Sequence, residues 1–530
     1  MNSNNSTEYQ RFCPGEEHIK ISEAVCLGRR RANYPKCPGC PFNDSEQHKE
    51  PDQPAAGSSA RSDAEPDVLD SMFRADDIRG LWPDPLNVEA AWRIGNAAAQ
   101  FLKSELRGYD RSRPENATVL VGRDMHKSSS ELADALIEGL RNAGAPVIDL
   151  GMIDTPQMYF AVNHLTCCGG IQVTAGAQSV PANGFKIVGL RGRPIGTDTG
   201  LANICKIAQN TRRRLGAPLA ERRLLDLREL YTKFVRGFLR PNRTAFSVDR
   251  PLTIVVDASN GMAGRWFPLL FGEEDWLKIS RLNFEHNGEF LHGPNPLLQN
   301  NLIQIKDRCA RAQADLGLCF DGDAARAIVI DETGRIVRSD LLTALLAGHL
   351  LKQYPGSTVL HDVRCSRIVP EAIRAAGGVP RRERCGQTFM KKAMVEAKAL
   401  FGGQSSGYLY FQDNGCCESP MIAFAYLVNL LAEAGQPLSE LLAPLRIYAH
   451  SGERRYHCSR VVTIIEDLAN RYEKARVDFL DGITVQHENW WFNLRPVPRE
   501  GLCLLNLEAE DDDLMQKKLD ELTPMLGTPA

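Results

Sequence analysis

Two periods of apolar residues alternate along most of this chain. Short apolar runs at residues 118–122, 146–150, 252–257 and 358–362 read as strands. Residues 131–142 and 369–376 instead place apolar side chains three and four apart, the spacing of an amphipathic helix. Strands that keep giving way to helices argue for an α/β protein with mixed sheets covered by helices on both faces. Two longer apolar stretches, 341–351 and 422–431, are too short to cross a bilayer and read as buried helices. The stretch before the first helix is different: residues 43–68 are rich in Glu, Asp, Gln, Ser, Pro and Ala without periodicity. Such a segment cannot bury enough surface to offset the entropy of ordering, so it reads as a flexible linker.

Composition adds limits rather than a function. A chain of 530 residues has room for three to four domains and needs no disulfides to stabilise a core. With 63 basic against 66 acidic residues the net charge is −3, so no global field draws it to nucleic acid or an anionic membrane. The polar N-terminus carries no signal-peptide core, and cytoplasmic residence is expected.

The 15 cysteines are distributed unevenly. Those of the body, including the neighbours Cys167-Cys168 and Cys416-Cys417, fit free, buried thiols in a reducing compartment. Cys13, Cys26, Cys37 and Cys40 fall in the first forty residues, the last two as C-P-G-C. Four thiolates with one C-x-x-C pair have the count for a tetrahedral metal site, and zinc is the first expectation. An iron–sulfur cluster uses the same ligands, and an unligated tail is the bland alternative. Arg29, Arg30 and Arg31 make this module locally basic, but its few aromatics form no stacking platform and nucleic acid is not expected.

The motifs are more specific. Phe73-Arg74-Ala-Asp-Asp77-Ile78-Arg79-Gly80 is followed by Gly122-Arg123-Asp124 with Ser128-Ser129, then Thr155-Pro156, then Thr174-Ala175-Gly176-Ala177 and Asn183-Gly184-Phe185-Lys186. Asp257-Ala-Ser-Asn260-Gly261, Pro294-Asn295-Pro296-Leu297 and Asp321-Gly322-Asp323-Ala324-Ala325-Arg326 come next. Gly386-Gln-Thr-Phe-Met-Lys391, Gly403-Gln404-Ser405-Ser406-Gly407-Tyr408 and Arg495-Pro496-Val497-Pro498-Arg499-Glu500-Gly501 complete the series. In order and spacing they resemble the motifs of the α-D-phosphohexomutase (phosphoglucomutase/phosphomannomutase) family.

That resemblance implies three mixed α/β domains and a smaller C-terminal α+β domain around a central cleft. Here the expected boundaries are residues 69–218, 219–335, 336–447 and 448–530, preceded by the cysteine module at 1–42 and the linker at 43–68. The family's activity is an intramolecular phosphoryl transfer on a hexose phosphate.

Each chemical loop departs from the pattern. Where the family has T-A-S-H-N-P, with the serine as phosphoryl carrier, this chain has Gly176 and Ala177 in place of serine and histidine. Glycine has no oxygen to carry a phosphoryl group. The metal loop D-G-D-A-D-R keeps Asp321, Asp323 and Arg326 but has Ala325 for its third carboxylate. A weak magnesium site is conceivable with water filling the gaps, but the preferred expectation is that the two aspartates only shape a turn. In the sugar loop G-E-x-S-G-H, Gln404 is isosteric with the glutamate but neutral, Ser406 is kept, and Tyr408 replaces the histidine. In the phosphate loop R-P-S-N-T-E-P, Arg495 remains, Val497 and Pro498 remove polar groups, and Arg499 adds a charge.

Arg79, Lys186, Lys391 and Arg495 match basic residues of the family and would attract an anionic sugar, or else serve as ordinary salt-bridge partners. A nucleophile moved to Thr174 or Ser179 is disfavoured, since a displacement of about 1 Å costs roughly a hundredfold in rate. The expectation is a pseudoenzyme that binds a sugar phosphate or an unidentified protein partner; the alternative is an active mutase with a rebuilt site.

Overall fold

The computed structural model describes residues 68–106, 113–213, 216, 218–240, 246–272, 274–458, 460–497 and 500–530, together with the backbone of 11–13 and 16–21. Cys13 ends a short strand, Arg11–Cys13, that pairs with Glu16–Ile21. Cys26, Cys37, Cys40, Arg29 to Arg31, the linker up to residue 67, Pro498 and Arg499 lie outside the described residues. Residues 66–447 form one compact unit, and residues 448–530 belong to a second.

The first unit contains three sheets built to one plan. The first has the strand order Ile78–Leu81, Ala182–Gly189, Gly169–Val173, Val119–Arg123, Val147–Met152, Arg222–Leu224. The second runs Leu277–Leu282, Leu252–Asp257, Leu316–Phe320, Ala327–Asp331, Ile336–Val337. The third runs Val379–Glu383, Thr358–Asp362, Phe401–Gly403, Leu409–Phe411, Cys417–Glu418.

In all three, parallel strands joined through helices lie beside an antiparallel hairpin whose first strand is the last of the parallel set. The central parallel strands read as near-continuous apolar runs because helices cover both of their faces. The hairpin loops are therefore equivalent positions: residues 174–181, 321–326 and 404–408.

A second repetition lies at the end of each central strand. Asp124, Asp257 and Asp362 each accept a hydrogen bond from the backbone two residues on: His126 N at 3.0 Å, Ser259 N at 2.9 Å and Arg364 N at 2.9 Å. An aspartate that folds back on its own backbone ends a strand in a tight turn. Each also meets a basic side chain, His126 at 2.8 Å, His292 at 3.1 Å and Arg364 at 2.6 Å.

The helices begin and pack for local reasons. Asn87 caps Val88–Ser104 by accepting from Ala90 N at 2.9 Å, and Asp154 caps Thr155–His164 by accepting from Gln157 N at 2.7 Å. Val88–Ser104 crosses Ser129–Asn142 at a backbone contact that only glycine permits. A Cβ on Gly95 would lie 2.2 Å from Leu136 O, and one on Gly139 2.1 Å from Trp92 O. The apolar stretch at 422–431 lies in the helix Pro420–Ala434, started by the Ser419 cap and ended by Gly435 in the left-handed conformation. Among the described residues no single helix is long and apolar enough to cross a membrane.

The second unit has a sheet in the order Arg476–Asp478, Ile483–Gln486, Trp490–Val497, Leu502–Ala509, Ala449–His457, Thr528–Pro529. The helices Val461–Arg471 and Asp512–Leu526 cover its apolar face. Mostly sheet with two helices, it has the α+β character expected of a smaller terminal domain.

Candidate functional site

The loop after Gly169–Val173 brings Gly176 to the centre of the site. Its φ is +64°, a left-handed conformation natural to glycine. A Cβ there would lie 3.3 Å from Arg79 Nη2 and 4.0 Å from Asp323 Oδ1, so a side chain would press on a guanidinium. Arg79 is held in place by Asp77 at 2.8 Å and by the carbonyl of Thr174.

The neighbouring hydroxyls are committed or remote. Thr174 Oγ1 accepts from Gly176 N at 2.9 Å and hydrogen-bonds Asp124. Ser179 is exposed.

Asp124, which the motifs did not single out as a site residue, ties this loop to the previous one. It accepts from Ser129 Oγ at 2.5 Å and Ala175 N at 3.2 Å and pairs with His126 Nδ1 at 2.8 Å. Burial alone would raise its pKa; the charge of His126 and the donated hydrogen bonds bring it down to about 2. His126 is buried against the Phe290 ring, with centroids 5.0 Å apart. Burial works against its charged form, but Asp124 raises its pKa.

The carboxylates of the 321–326 loop have taken separate partners. Asp321 Oδ1 accepts from the backbone N of Ala325 at 2.8 Å and of Arg326 at 3.2 Å, while Oδ2 pairs with Arg326 Nε at 3.1 Å. Asp323 faces the first domain: its Oδ2 accepts from Lys186 Nζ at 2.7 Å and from Thr155 Oγ1 at 2.6 Å, and its carbonyl from Thr155 N at 3.1 Å. Both are fully buried. Burial and then the charge of Asp323 push Asp321 up to about 7, whereas Lys186 holds Asp323 below its ordinary value against the same burial.

The expectation that these aspartates only shape a turn is therefore too narrow. Asp321 organises its own loop, but Asp323 joins two domains.

These donors fit magnesium poorly. A hard divalent ion wants about six oxygens, with one or two carboxylates among them. Both oxygens of Asp321 are occupied by donors of its own loop, Asp323 Oδ2 holds an ammonium, and Ala325 offers nothing. Of the carboxylate oxygens in this loop only Asp323 Oδ1 is left without a hydrogen-bond donor, and among the described residues no group of three His, Cys, Asp or Glu could hold an ion.

The sugar-loop residues sit against this loop. Arg326 lies over the Tyr408 ring, 5.0 Å from its centroid, and its Nη1 reaches Ser406 O at 3.5 Å. Tyr408 is half-buried among Arg326, Lys186 and the two aspartates. Gln404 turns inward instead, and its Oε1 accepts from Tyr410 OH at 2.7 Å.

Lys391 is buried with Glu418 Oε2 at 2.8 Å and over the Tyr159 ring at 3.9 Å, and Tyr159 OH donates to Glu418 at 3.0 Å. Lys391 and Lys186 line one small crevice with Asp76, Tyr159 and Thr388. Arg79, Lys186, Asp321, Asp323, Arg326, Ser406 and Tyr408 thus form one cluster with Gly176, and Lys391 adjoins it. In the second unit, Arg495 pairs with Glu453 at 3.3 Å and Asp481 at 3.8 Å.

Sequence reasoning missed Thr155, Asp124 and Glu418 as parts of this network. The first two stand inside family-like motifs, and their polar character next to a strand end was the available signal.

Comparison with known proteins places this arrangement. Residues 70–214, 230–334 and 338–448 match the family descriptions of phosphoglucomutase/phosphomannomutase alpha/beta/alpha domains I, II and III. The chain is 33% identical over 468 residues to a phosphomannomutase of Vibrio cholerae, covering 86% of this chain and 98% of that protein. It is 33% identical over 459 residues to a protein of Xanthomonas campestris described as phosphohexose mutases, covering 86% and 98%. Among solved structures, a phosphoglucomutase/phosphomannomutase family protein from Burkholderia thailandensis superposes with a TM-score of 0.77 at 28% identity, over 87% of this chain and 97% of that one. This chain belongs to the α-D-phosphohexomutase family.

Proposed function

We propose that this chain is a phosphohexomutase-family protein that recognises a phosphorylated sugar or a protein partner without running phosphoserine-dependent mutase turnover. The observation that carries the reading is Gly176. The position of the phosphoryl carrier has no side chain, its backbone is left-handed, and Arg79 Nη2 lies 3.3 Å from where a Cβ would be. Residues that act as one catalytic unit do not contribute independently, and here the carrier, the third carboxylate of the 321–326 loop and the sugar-loop glutamate are all replaced.

The test is a coupled assay with glucose and mannose 1-phosphates, a hexose bisphosphate activator and magnesium, read beside intact mass. No turnover above blank and no phosphorylated protein are expected.

The second reading, an active mutase with a rebuilt site, draws on the near full-length similarity to proteins named phosphomannomutase. Robust turnover abolished by Ser179→Ala or Thr174→Val would establish it and end the first.

We further infer that Cys13, Cys26, Cys37 and Cys40 hold one zinc ion, on their spacing alone. Elemental analysis should find about one equivalent, lost on double substitution of Cys37 and Cys40 by Ser. The buried free thiols of the body fit a cytoplasmic protein.

A further inference from the structure

The ion pair between Lys186 and Asp323 has a position that gives it more than a packing role. Lys186 projects from the strand Ala182–Gly189 of the first domain, and Asp323 stands in the hairpin loop after Leu316–Phe320 of the second. Their contact is 2.7 Å, with side-chain exposures of 9% and 0%. Thr155, at the start of the helix Thr155–His164, adds two hydrogen bonds to the same aspartate, one to the side chain at 2.6 Å and one to the carbonyl at 3.1 Å. The loop opposite is equally close, since a Cβ on Gly322 would lie 2.5 Å from Gly176 O. A positive charge is thus delivered to the carboxylate by the other domain of the junction.

We infer that the Lys186 ammonium is the built-in cation of the 321–326 loop, so that the junction between the two domains forms without a divalent metal and excludes one. A magnesium ion binds oxygen at about 2.1 Å and keeps a full octahedral shell, whereas this loop leaves it one open carboxylate oxygen, Asp323 Oδ1, beside an ammonium already seated on Oδ2. An ammonium instead offers three directional donors and a single charge on a tether. With Ala325 in the loop, Asp323 alone of its two carboxylates pairs with Lys186, while Asp321 is held by Ala325 N, Arg326 N and Arg326 Nε. The inference does not depend on whether the protein turns over sugar phosphates, because its readouts are metal binding and thermal stability.

Manganese serves as the probe, followed by electron paramagnetic resonance and by thermal melts of the full chain. Wild type is expected to bind no Mn2+ that depends on Asp323 and to show no shift in melting temperature with Mn2+. Lys186→Met should melt about 5–15 °C lower, as a buried carboxylate loses its partner. Lys186→Met combined with Ala325→Asp should gain about one equivalent of Mn2+ and recover melting temperature on its addition.

Binding of one Mn2+ by wild type that is lost in Asp323→Asn overturns the proposal, and this arm holds even if the lysine variants fail to fold. A double variant that folds but does not respond to Mn2+ overturns it as well.

Discussion

The hairpin loops at 174–181 and 321–326 occupy the same place in their sheets, yet they have diverged in opposite ways. The first has lost its family side chains, with Gly176 and Ala177 where a serine and a histidine are expected. The second has kept two carboxylates and an arginine. Residue identity alone leaves the 321–326 loop as a turn or a weak magnesium site, and the 174–181 loop without a phosphoryl carrier.

In space they behave alike. Arg79 stands against Gly176, while Arg326, Lys186 and Thr155 consume the carboxylates of the other loop. A retained residue type does not carry a retained role. What a buried carboxylate does is decided by the charge beside it, because desolvation makes an unpaired one costly and any cation within reach valuable.

The comparison breaks most easily at Lys186. Lys186→Met should destabilise the body by about 3–5 kcal/mol, the usual loss when one partner of a buried pair is removed. Arg495→Met, whose partners in the second unit are partly exposed, should cost no more than about 1 kcal/mol in denaturant melts. Equal effects would show that the Lys186 pair is not special.

The next effect lies at Asp154, immediately before the Thr155 that binds Asp323. Burial pushes its pKa up to about 8. An unfolded chain ionises this group near 3.9, so between roughly pH 4 and 8 the unfolded state loses a proton that the folded state keeps. Stability from this group therefore falls as pH rises through that window and is flat above it. Asp154→Asn keeps the helix cap and removes the titration. It should gain on the order of 1–3 kcal/mol relative to wild type between pH 5 and pH 8, and a pH-independent difference would discard the assignment.

Gly176→Ser sharpens the contrast between the two loops from the other side. A residue with a side chain at φ +64°, against the Arg79 guanidinium, should cost about 1–2 kcal/mol and restore no turnover. A stabilised, phosphorylated variant would mean that this loop still has its old chemistry in reach. The smallest expectation is for Ser179→Ala. Its exposed hydroxyl should be worth less than about 0.5 kcal/mol in thermal melts, with no change in any residual activity.

Much of the architecture was legible because it is written locally. The strands at Val119–Arg123, Val147–Met152, Leu252–Asp257 and Thr358–Asp362 follow from apolar runs. The helices at Ser129–Asn142 and Pro420–Ala434 follow from spacing and apolar length. Gly176, too, is read directly, since no fold can supply an oxygen that the residue lacks.

The repetition of the aspartate turns at Asp124, Asp257 and Asp362 was not legible, because single aspartates after strands carry no label until the three sheets are set side by side. Nor was the fate of the basic residues. The chain by itself determined which groups are available: two carboxylates in the 321–326 loop, a lysine at 186, no nucleophile at 176. The tertiary structure alone decided that Asp321 turns to its own Arg326 while Asp323 reaches 137 positions back to Lys186. The physical reason is that a buried charge takes its partner from whatever lies within a few ångströms, and that distance is set by how the sheets pack, not by order along the chain.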